Sequence, residues 1–264
     1  MSRGTRIWTS RPREARKKMS KKEAAPALYP LGMDGFLARF ASRFSLEANR
    51  AAQAFATEAR EIEGVEEAVP ALASVQLRFD STGETAPARR AKLEAALTDL
   101  LASRDWLSLP ERAPARRWTL PVSFDGSDAP GLAEAAAETG LTEAEAVRSI
   151  LEAAPRVLAI GFAPGQPYIG LLPEPWNFPR RTSLRDVPPG ALVAAIRQLV
   201  LFANASPTGW LQIGRCAFRP FQPGAPDPMP LRQGDEIRLS RVSADELSAL
   251  EAQPMGGARL EVLS

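Results

Sequence analysis

The spacing of hydrophobic positions divides the first half of the chain into strand-like and helix-like stretches. Val75, Leu77 and Phe79 alternate with polar residues, as in a strand with one buried face. Ser45 stands where an N-cap precedes an Ala- and Glu-rich run of high helix propensity. The pattern predicts a compact β-α-β-β-α unit with its helices on one face of a sheet. Its predicted elements are a strand at 28–40, a helix at 46–62, strands at 65–72 and 74–79, and a helix at 87–102.

A different pattern fills the second half, where short apolar runs are separated by Pro and Gly. Residues 104–117 are charged, contain two prolines and have weak periodicity, so they are predicted to form a linker. From residue 118 onward, the short apolar runs favour a barrel or sandwich of short strands. Thr142 and Ser243 each stand three residues before a glutamate, which predicts two helices that begin with capping boxes.

The chain is thus predicted to be an α+β protein with two folded domains. The N-terminal α/β domain is assigned to 28–115 and the β-barrel domain to 116–264, after a basic tail at 1–27. Residues 1–22 carry nine Arg or Lys side chains against Glu14, whereas the rest of the chain has 24 basic and 30 acidic residues. This tail lacks the interleaved aromatic residues of a base-stacking surface. No nucleic-acid partner is therefore expected. The tail is predicted to be disordered.

The chain contains no histidine, and this restricts its chemistry more than any other feature of composition. Ser-His-Asp and Cys-His nucleophiles and most catalytic zinc sites need an imidazole. No metal site is therefore predicted. Cys216 is the only cysteine, which excludes an internal disulfide, and it is predicted to be a small buried filler. Apolar runs stay below the roughly 18 residues that span a bilayer. These features indicate a cytoplasmic protein with no membrane contact.

The segment 161–170, GFAPGQPYIG, follows a predicted buried strand at 157–160. Its glycines permit backbone angles closed to other residues, and its prolines fix φ and remove N–H donors. It is therefore predicted to be a stiff loop that holds Phe162 and Tyr168 in place. Two interpretations remain open: a binding loop on a rigid scaffold, or a structural turn whose aromatic side chains lie in the core.

Further motifs follow this loop along the chain. They are LLPEP at 171–175, VPPG at 187–190, Gln198, PTGW at 207–210, IGR at 213–215 and QGD at 233–235. In this order and spacing the chain resembles the allophanate hydrolase subunit 1-like family. That family includes the B subunit of bacterial 5-oxoprolinase, the sporulation-kinase inhibitor KipI and a carboxyltransferase subdomain (C/D) of urea carboxylase. The resemblance covers about 29–247.

This resemblance implies a small α/β domain followed by a cyclophilin-like β-barrel that carries the motifs. It also implies a hetero-oligomer with a protein like the C subunit of 5-oxoprolinase (the allophanate hydrolase subunit 2-like partner) and with the A subunit. Such a complex opens 5-oxoproline to glutamate with ATP and Mg²⁺, so a small lactam or amide substrate is expected. Two other functions stay open: a KipI-like protein that inhibits a histidine kinase, and a module related to urea carboxylase and allophanate hydrolase.

Some positions of this chain differ from the pattern of the family that it resembles. Gln166 stands where that pattern has a second aromatic residue, and Val200 stands where it has a glycine. A different lactam or amide substrate, or a binding role alone, therefore also stays open.

The resemblance points to residues that bind the substrate or a partner, without assigning a catalytic residue. Arg180 and Arg185 would bind a carboxylate or phosphate, or are plain surface arginines. Gln198 would hold an amide group or bond to the backbone, and Trp210 would line a pocket or fill the core. The complete set is Gly161, Phe162, Pro164, Gly165, Pro167, Tyr168, Gly170, Arg180, Arg185, Gln198, Gly209, Trp210, Gly214 and Arg215.

Overall fold

A computed structural model describes residues 26–263, which form a small sheet, a closed β-barrel and a two-stranded ribbon. The predicted α+β fold class is confirmed. The basic tail predicted at 1–27 lies outside the described residues except for its last two positions. Within 26–263, every helix is too short or too polar to cross a bilayer.

The N-terminal sheet is antiparallel and is covered on one face by two helices. Its elements are β1 (Ala27–Leu31), β2 (Gly35–Arg39), α1 (Leu46–Ala59), β3 (Glu67–Pro70), β4 (Ser74–Arg78) and α2 (Ala86–Ala102). The strand order is β1-β2-β4-β3. Phe36 and Leu77 oppose each other on the buried face, whereas Leu37 and Gln76 oppose each other on the open face. The alternation predicted for β4 is therefore confirmed.

The single strand predicted at 28–40 is wrong, because this stretch is a hairpin. Gly32 adopts φ +63° in the turn between β1 and β2, a backbone conformation that glycine accepts without a steric penalty. The helix that follows begins as predicted, since the Ser45 hydroxyl accepts a hydrogen bond of 3.1 Å from the Ala48 N–H. It ends at Ala59, three residues before the predicted end.

The N-terminal core is Ala-rich and is completed by an aromatic residue from the predicted linker. Trp106 is fully buried, and its ring lies 5.3 Å from that of Phe55 and 6.3 Å from that of Phe40. Its indole N–H donates to the Leu101 carbonyl at 3.0 Å. The linker prediction at 104–117 is therefore wrong around Trp106, because the small alanines of α1 leave room that a large ring fills.

The rest of the chain builds the barrel. Its elements are β5 (Arg116–Ser123), α3 (Leu132–Thr139), α4 (Glu143–Glu152), β6 (Arg156–Ile160), β7 (Pro167–Gly170), β8 (Arg185–Val187), β9 (Ala191–Ala195), β10 (Gln198–Leu201), β11 (Ser206–Thr208), β12 (Leu211–Cys216), β13 (Glu236–Val242), α5 (Ala244–Leu250) and β14 (Arg259–Val262). The strand order is β12-β9-β10-β7-β6-β13-β5, and β12 pairs with β5 to close the ring. β14 adds to β5 outside the ring, and β8 pairs with β11 as the ribbon.

The helices beside the barrel begin largely where the sequence indicates. Thr142 and Ser243 both form complete capping boxes, so these two predictions are confirmed. The preceding helix, α3, was not predicted, because its short Ala-rich sequence carries no side-chain cap. It ends at Thr139 and is capped by Gly140, which has φ +71°.

A buried amide helps to join the two units. Asn49 of α1 is 3% exposed, and its Nδ2 lies 2.9 Å from the Leu158 carbonyl oxygen of β6. The same nitrogen lies 3.1 Å from the Leu72 carbonyl oxygen of the small unit. Gln53 donates to the Asn49 Oδ1 at 2.8 Å and so fixes the orientation of the amide. A single side chain therefore satisfies backbone carbonyls of both units.

We expect Asn49→Asp to destabilise the protein more at pH 8 than at pH 5. The carboxylate has no N–H to donate, and burial among carbonyl oxygens raises its folded-state pKa above the unfolded value. The free energy of unfolding of the variant is then highest while the new carboxyl group is protonated, and it falls as pH rises through the raised pKa. The expected loss at pH 8 is about 3–5 kcal/mol, measured by urea unfolding.

Asn49→Ala is the matched control for this effect. It removes the donors without adding a charge, so its loss of about 1–3 kcal/mol should be the same at both pH values. If Asn49→Asp lost the same stability at pH 5 and pH 8, Asn49 would not be a buried donor to backbone carbonyl groups.

Candidate functional site

The segment after β6 is a tight loop at 161–166, but the loop predicted over 161–170 is wrong for 167–170, which form β7 between β6 and β10. Within the loop, glycine is required at position 165. The Gly161 N–H donates to the Gln166 carbonyl at 3.0 Å, and the Gln166 N–H donates to the Ala163 carbonyl at 3.1 Å. Gly165 has φ +71°, and a Cβ there would lie 2.2 Å from the Pro220 carbonyl oxygen. This position therefore has no room for a side chain.

Phe162 is held in an unusual way for a large aromatic residue. Its backbone is in the left-handed region, with φ +71°, and its side chain is 78% exposed. A non-glycine residue pays about 1–2 kcal/mol for this conformation, and burial does not offset that cost here. The interpretation of this loop as a turn with buried aromatics is therefore wrong for Phe162.

This loop forms one wall of a cleft between the two units, with a volume of about 780 Å³. The small unit supplies the facing wall from α1 and β3. Residues from the segment before β13 close the floor. The lining residues are Gln53, Thr57, Arg60, Glu67, Val69, Pro70, Ile160, Gly161, Phe162, Ala163, Pro164, Gly165, Asp227, Pro228, Met229, Leu231, Arg232 and Gln233.

The arginines of this cleft are already bonded within the protein, whereas several of its apolar side chains are exposed. Arg60 donates to the Ala68 carbonyl at 2.5 Å, and Arg232 contacts both carboxylate oxygens of Asp227 at 2.8 and 2.9 Å. Val69 and Met229 are each about two-fifths exposed, and Phe162 is more exposed than either. The cleft therefore suits an apolar or amide-bearing partner more than a strongly charged one.

A second group of predicted residues lies on β7 and in the hairpin before β12. The rings of Tyr168 and Trp210 meet edge to face at 6.4 Å. Burial raises the pKa of the Tyr168 phenol, and the nearby positive charge of Arg180 opposes part of that shift. Arg180 is exposed and forms no ion pair with any residue in 26–263. It is thus a cation beside an aromatic pair with its donors available.

The neighbouring arginines are occupied instead. Arg181 contacts Glu134 at 2.8 Å and Glu138 at 2.7 Å, and Arg185 contacts Glu134 at 3.4 Å. Gly209 packs directly on the Arg181 backbone, because a Cβ there would lie 2.2 Å from the Arg181 carbonyl oxygen. Arg185 is therefore tied to α3 and does not join the Arg180 group.

Gln198 and Gly170 oppose each other across β10 and β7. Gln198 is 4% exposed, and a Cβ on Gly170 would come within 3.2 Å of its Cγ. Glycine at position 170 therefore makes room for the glutamine side chain. Pro167, at the start of β7, is buried.

Arg215 and Gly214 lie at the seam that closes the barrel. Arg215 contacts the Asp128 carboxylate at 2.6 Å and also pairs with Glu251. A Cβ on Gly214 would lie 2.8 Å from Cγ1 of Val122. These contacts describe packing and ion pairing within the barrel, so the two residues are not brought together with Phe162 or Arg180.

A family model for the carboxyltransferase domain, subdomain C and D, matches residues 26–231. The chain belongs to this family. It is similar to the 5-oxoprolinase B subunit of Escherichia coli O157:H7, with 37% identity over 121 residues, and to that of Bacillus subtilis (strain 168), with 30% over 135 residues. These alignments cover 46% and 51% of this chain and 56% of each relative. The chain therefore spans about half the length of the curated relatives it matches.

Solved structures share the fold of this chain. The crystal structure of TTHA0988 is similar with a TM-score of 0.64 and 31% identity, covering 80% of this chain and 40% of that chain. The Kluyveromyces lactis urea amidolyase is similar with a TM-score of 0.69 and 16% identity, covering 92% of this chain and 17% of that chain. At that identity the second likeness shows a shared fold alone.

In this carboxyltransferase-family chain, the sequence interpretation missed the cleft residues outside the loop. Gln53, Thr57 and Arg60 are spaced four and three positions apart, which puts them on one face of α1. That spacing was a usable signal. Arg232 and Met229 carry no such signal, because they reach the cleft only through the fold of the barrel.

We expect Phe162→Gly to leave stability unchanged or to raise it by up to about 1 kcal/mol, because glycine accepts φ +71° freely and no buried contact is lost. Gly165→Ala should lower stability by more than about 1 kcal/mol, because its Cβ meets the Pro220 carbonyl. Thermal unfolding of both variants checks this. A loss of more than about 2 kcal/mol in Phe162→Gly would mean that the ring is a packing element.

We expect the Cys216 thiol to be inert in the folded protein. It is 1% exposed, and burial raises its pKa to about 12, so the thiol stays protonated at pH 9. Absorbance after addition of Ellman's reagent should show no fast reaction until urea unfolds the protein. A full equivalent of fast reaction in native buffer would contradict the predicted role of buried filler.

Proposed function

We propose that this chain is the B subunit of an ATP-dependent 5-oxoprolinase-like amidohydrolase complex, which opens 5-oxoproline to glutamate. It acts there with an allophanate hydrolase subunit 2-like protein, the C subunit, and with the A subunit. The names of the curated relatives support the proposed reaction. The observation that supports a partner protein is Phe162, a strained and exposed aromatic residue on the wall of the interdomain cleft.

The chemistry explains why several subunits are needed. An unstrained lactam hydrolyses slowly, and its carbonyl becomes a better electrophile when the terminal phosphoryl group of ATP, bound with Mg²⁺, is transferred to its oxygen. Water then adds to that carbon, and the C–N bond breaks so that the nitrogen leaves as the amine. A second water hydrolyses the resulting acyl phosphate to glutamate and free phosphate. The sequence lacks the Gly-x-x-x-x-Gly-Lys-Ser/Thr phosphate loop. We therefore assign ATP binding to the complex rather than to this chain alone.

In this proposal, Arg180 binds the carboxylate of 5-oxoproline. Its guanidinium is exposed and, within 26–263, has no carboxylate partner, so its paired N–H groups are available for two parallel hydrogen bonds. The Tyr168 and Trp210 rings beside it give the small ring of the lactam an apolar surface. Gln198, on the adjoining strand, offers an amide group for the lactam N–H or carbonyl.

The loop 161–165 has a different task in this proposal, which is to contact the partner protein. A cleft of about 780 Å³ is far larger than a five-membered lactam, and its open groups are apolar. An aromatic side chain at such a surface is a common anchor of protein–protein interfaces. The φ of Phe162 is fixed before binding, so little conformational entropy is lost on association.

We test the proposal by co-expressing the chain with its candidate C subunit, purifying through a tag on one of the two proteins, and adding the A subunit. We expect a stable complex with ATP hydrolysis that depends on 5-oxoproline. Arg180→Gln should raise KM for 5-oxoproline by about tenfold or more, because charge-assisted hydrogen bonds to the carboxylate are lost. Phe162→Ala should weaken the complex with the C subunit while the folded chain stays intact.

Arg148→Gln is the matched control, because Arg148 is an exposed arginine of α4 that does not line the cleft. This variant should have the same KM for 5-oxoproline as the parent chain and should form the complex equally well. A stable complex without lactam-dependent ATP hydrolysis would overturn the assigned reaction. Failure to form any complex would overturn the proposed role in a hetero-oligomer and would favour a stand-alone binding protein.

A further inference from the structure

A second interdomain cavity, of about 330 Å³, has a strongly basic lining. It lies between α1 and the segment 109–116 that leads into β5. Five arginines contribute to its wall, against one carboxylate, that of Asp235. The five are Arg50, Arg112, Arg116, Arg156 and Arg232.

The arginines of this cavity differ in how well their charges are matched. Arg232 is paired with Asp227, and Arg156 contacts Glu111 at 3.5 Å and the Arg112 carbonyl at 2.6 Å. Arg50 lies 3.8 Å from Glu47, at the outer limit of an ion pair. The Arg112 side chain is exposed and has no ion-pair partner among residues 26–263. The cavity therefore keeps positive charge that the protein itself does not neutralise.

Two of these guanidinium groups also lack an acceptor for a buried donor. The Nε atoms of Arg50 and Arg116 are buried and have no hydrogen-bond partner in the described part of the chain. A buried donor without an acceptor costs about 1–3 kcal/mol, and more when the group is charged. Both residues line this same cavity.

Asp235 does not fill this need. Its Oδ2 already accepts from the Arg232 backbone N–H at 2.8 Å and from the Trp118 indole at 3.1 Å. Its Oδ1 lies 3.1 Å from Nε of Arg116, but that N–H is not directed at it. Burial raises the pKa of this carboxyl group, and its hydrogen bond from the Arg232 backbone N–H and the charge of Arg116 oppose that shift.

We propose that this arginine-lined cavity binds the phosphate group of a small phosphorylated ligand. A phosphate dianion carries more charge and more acceptor oxygens than a carboxylate, and so it matches several guanidinium groups at once. The volume admits the phosphate together with a small organic part. Arg50 belongs to the small unit and Arg116 to the barrel, so the ligand bridges the two units. The neighbouring cleft has fewer arginines: Arg60 is bonded to the Ala68 carbonyl, and Arg232, which lines both cavities, is paired with Asp227.

The test uses inorganic phosphate and pyrophosphate as probes on the full chain, measured by isothermal titration calorimetry and thermal unfolding at constant ionic strength. We expect saturable binding and a rise of Tm with probe concentration. Arg112→Gln should weaken binding by about tenfold or more, since charge-assisted hydrogen bonds are lost. Arg112 is exposed, so this variant should fold like the parent. Arg148→Gln, outside the cavity, should bind like the parent chain.

Arg50→Gln supplies a second variant on the opposite wall and should also weaken binding. The proposal is overturned if neither probe binds saturably, or if Arg112→Gln and Arg50→Gln both bind as well as Arg148→Gln. It is also overturned if glutamate binds more tightly than phosphate, because the site would then be one for carboxylates. Since no partner protein or lactam enters this test, its outcome is separate from that of the proposed function.

Discussion

The arrangement of the two units depends on the carboxamide of Asn49. Buried carbonyl groups that lose water must find donors, and this side chain serves carbonyls from the turn between β3 and β4 and from β6. Gln53 reinforces it from the next turn of α1. In a low-dielectric contact, such a network fixes one relative position, because any shift leaves several polar groups unsatisfied.

That fixed position shapes the apolar cleft and the arginine-lined cavity between the units. Gln53 lies in the wall of each, so α1 acts as the divider between an apolar cleft and an arginine-lined cavity. Gln233 adds a further link by donating to the Pro70 carbonyl at 2.6 Å, and Arg60 occupies the Ala68 carbonyl on the same strand. The outer edge of β3 is therefore covered by side chains and by a proline without an N–H. A partner at this surface must use side-chain contacts rather than extend the sheet.

Features set by neighbouring residues were predictable from the sequence, whereas features set by residues distant in the chain were not. Ser45, the two capping boxes and the loop after β6 depend on residues a few positions apart, and the sequence contains those residues in full. The φ of Phe162 and the role of Trp106 depend instead on what the fold places around them. The motif residues likewise separate in space, because Arg215 serves the barrel seam whereas Arg180 lies beside Tyr168. Sequence order alone contains no information about that separation.

The parallel pairing of β5 with β13 has a consequence for how the chain folds during synthesis. Arg117 and Glu236 lie opposite each other across these strands, 119 positions apart in the chain. The ring therefore stays open until almost all of the barrel has left the ribosome, and long-range pairings of this kind form slowly. The buried core of the small unit is complete at Trp106, and the last residue that packs against it is Leu109. It is thus able to collapse first and offer α1 as a template on which the nascent barrel assembles.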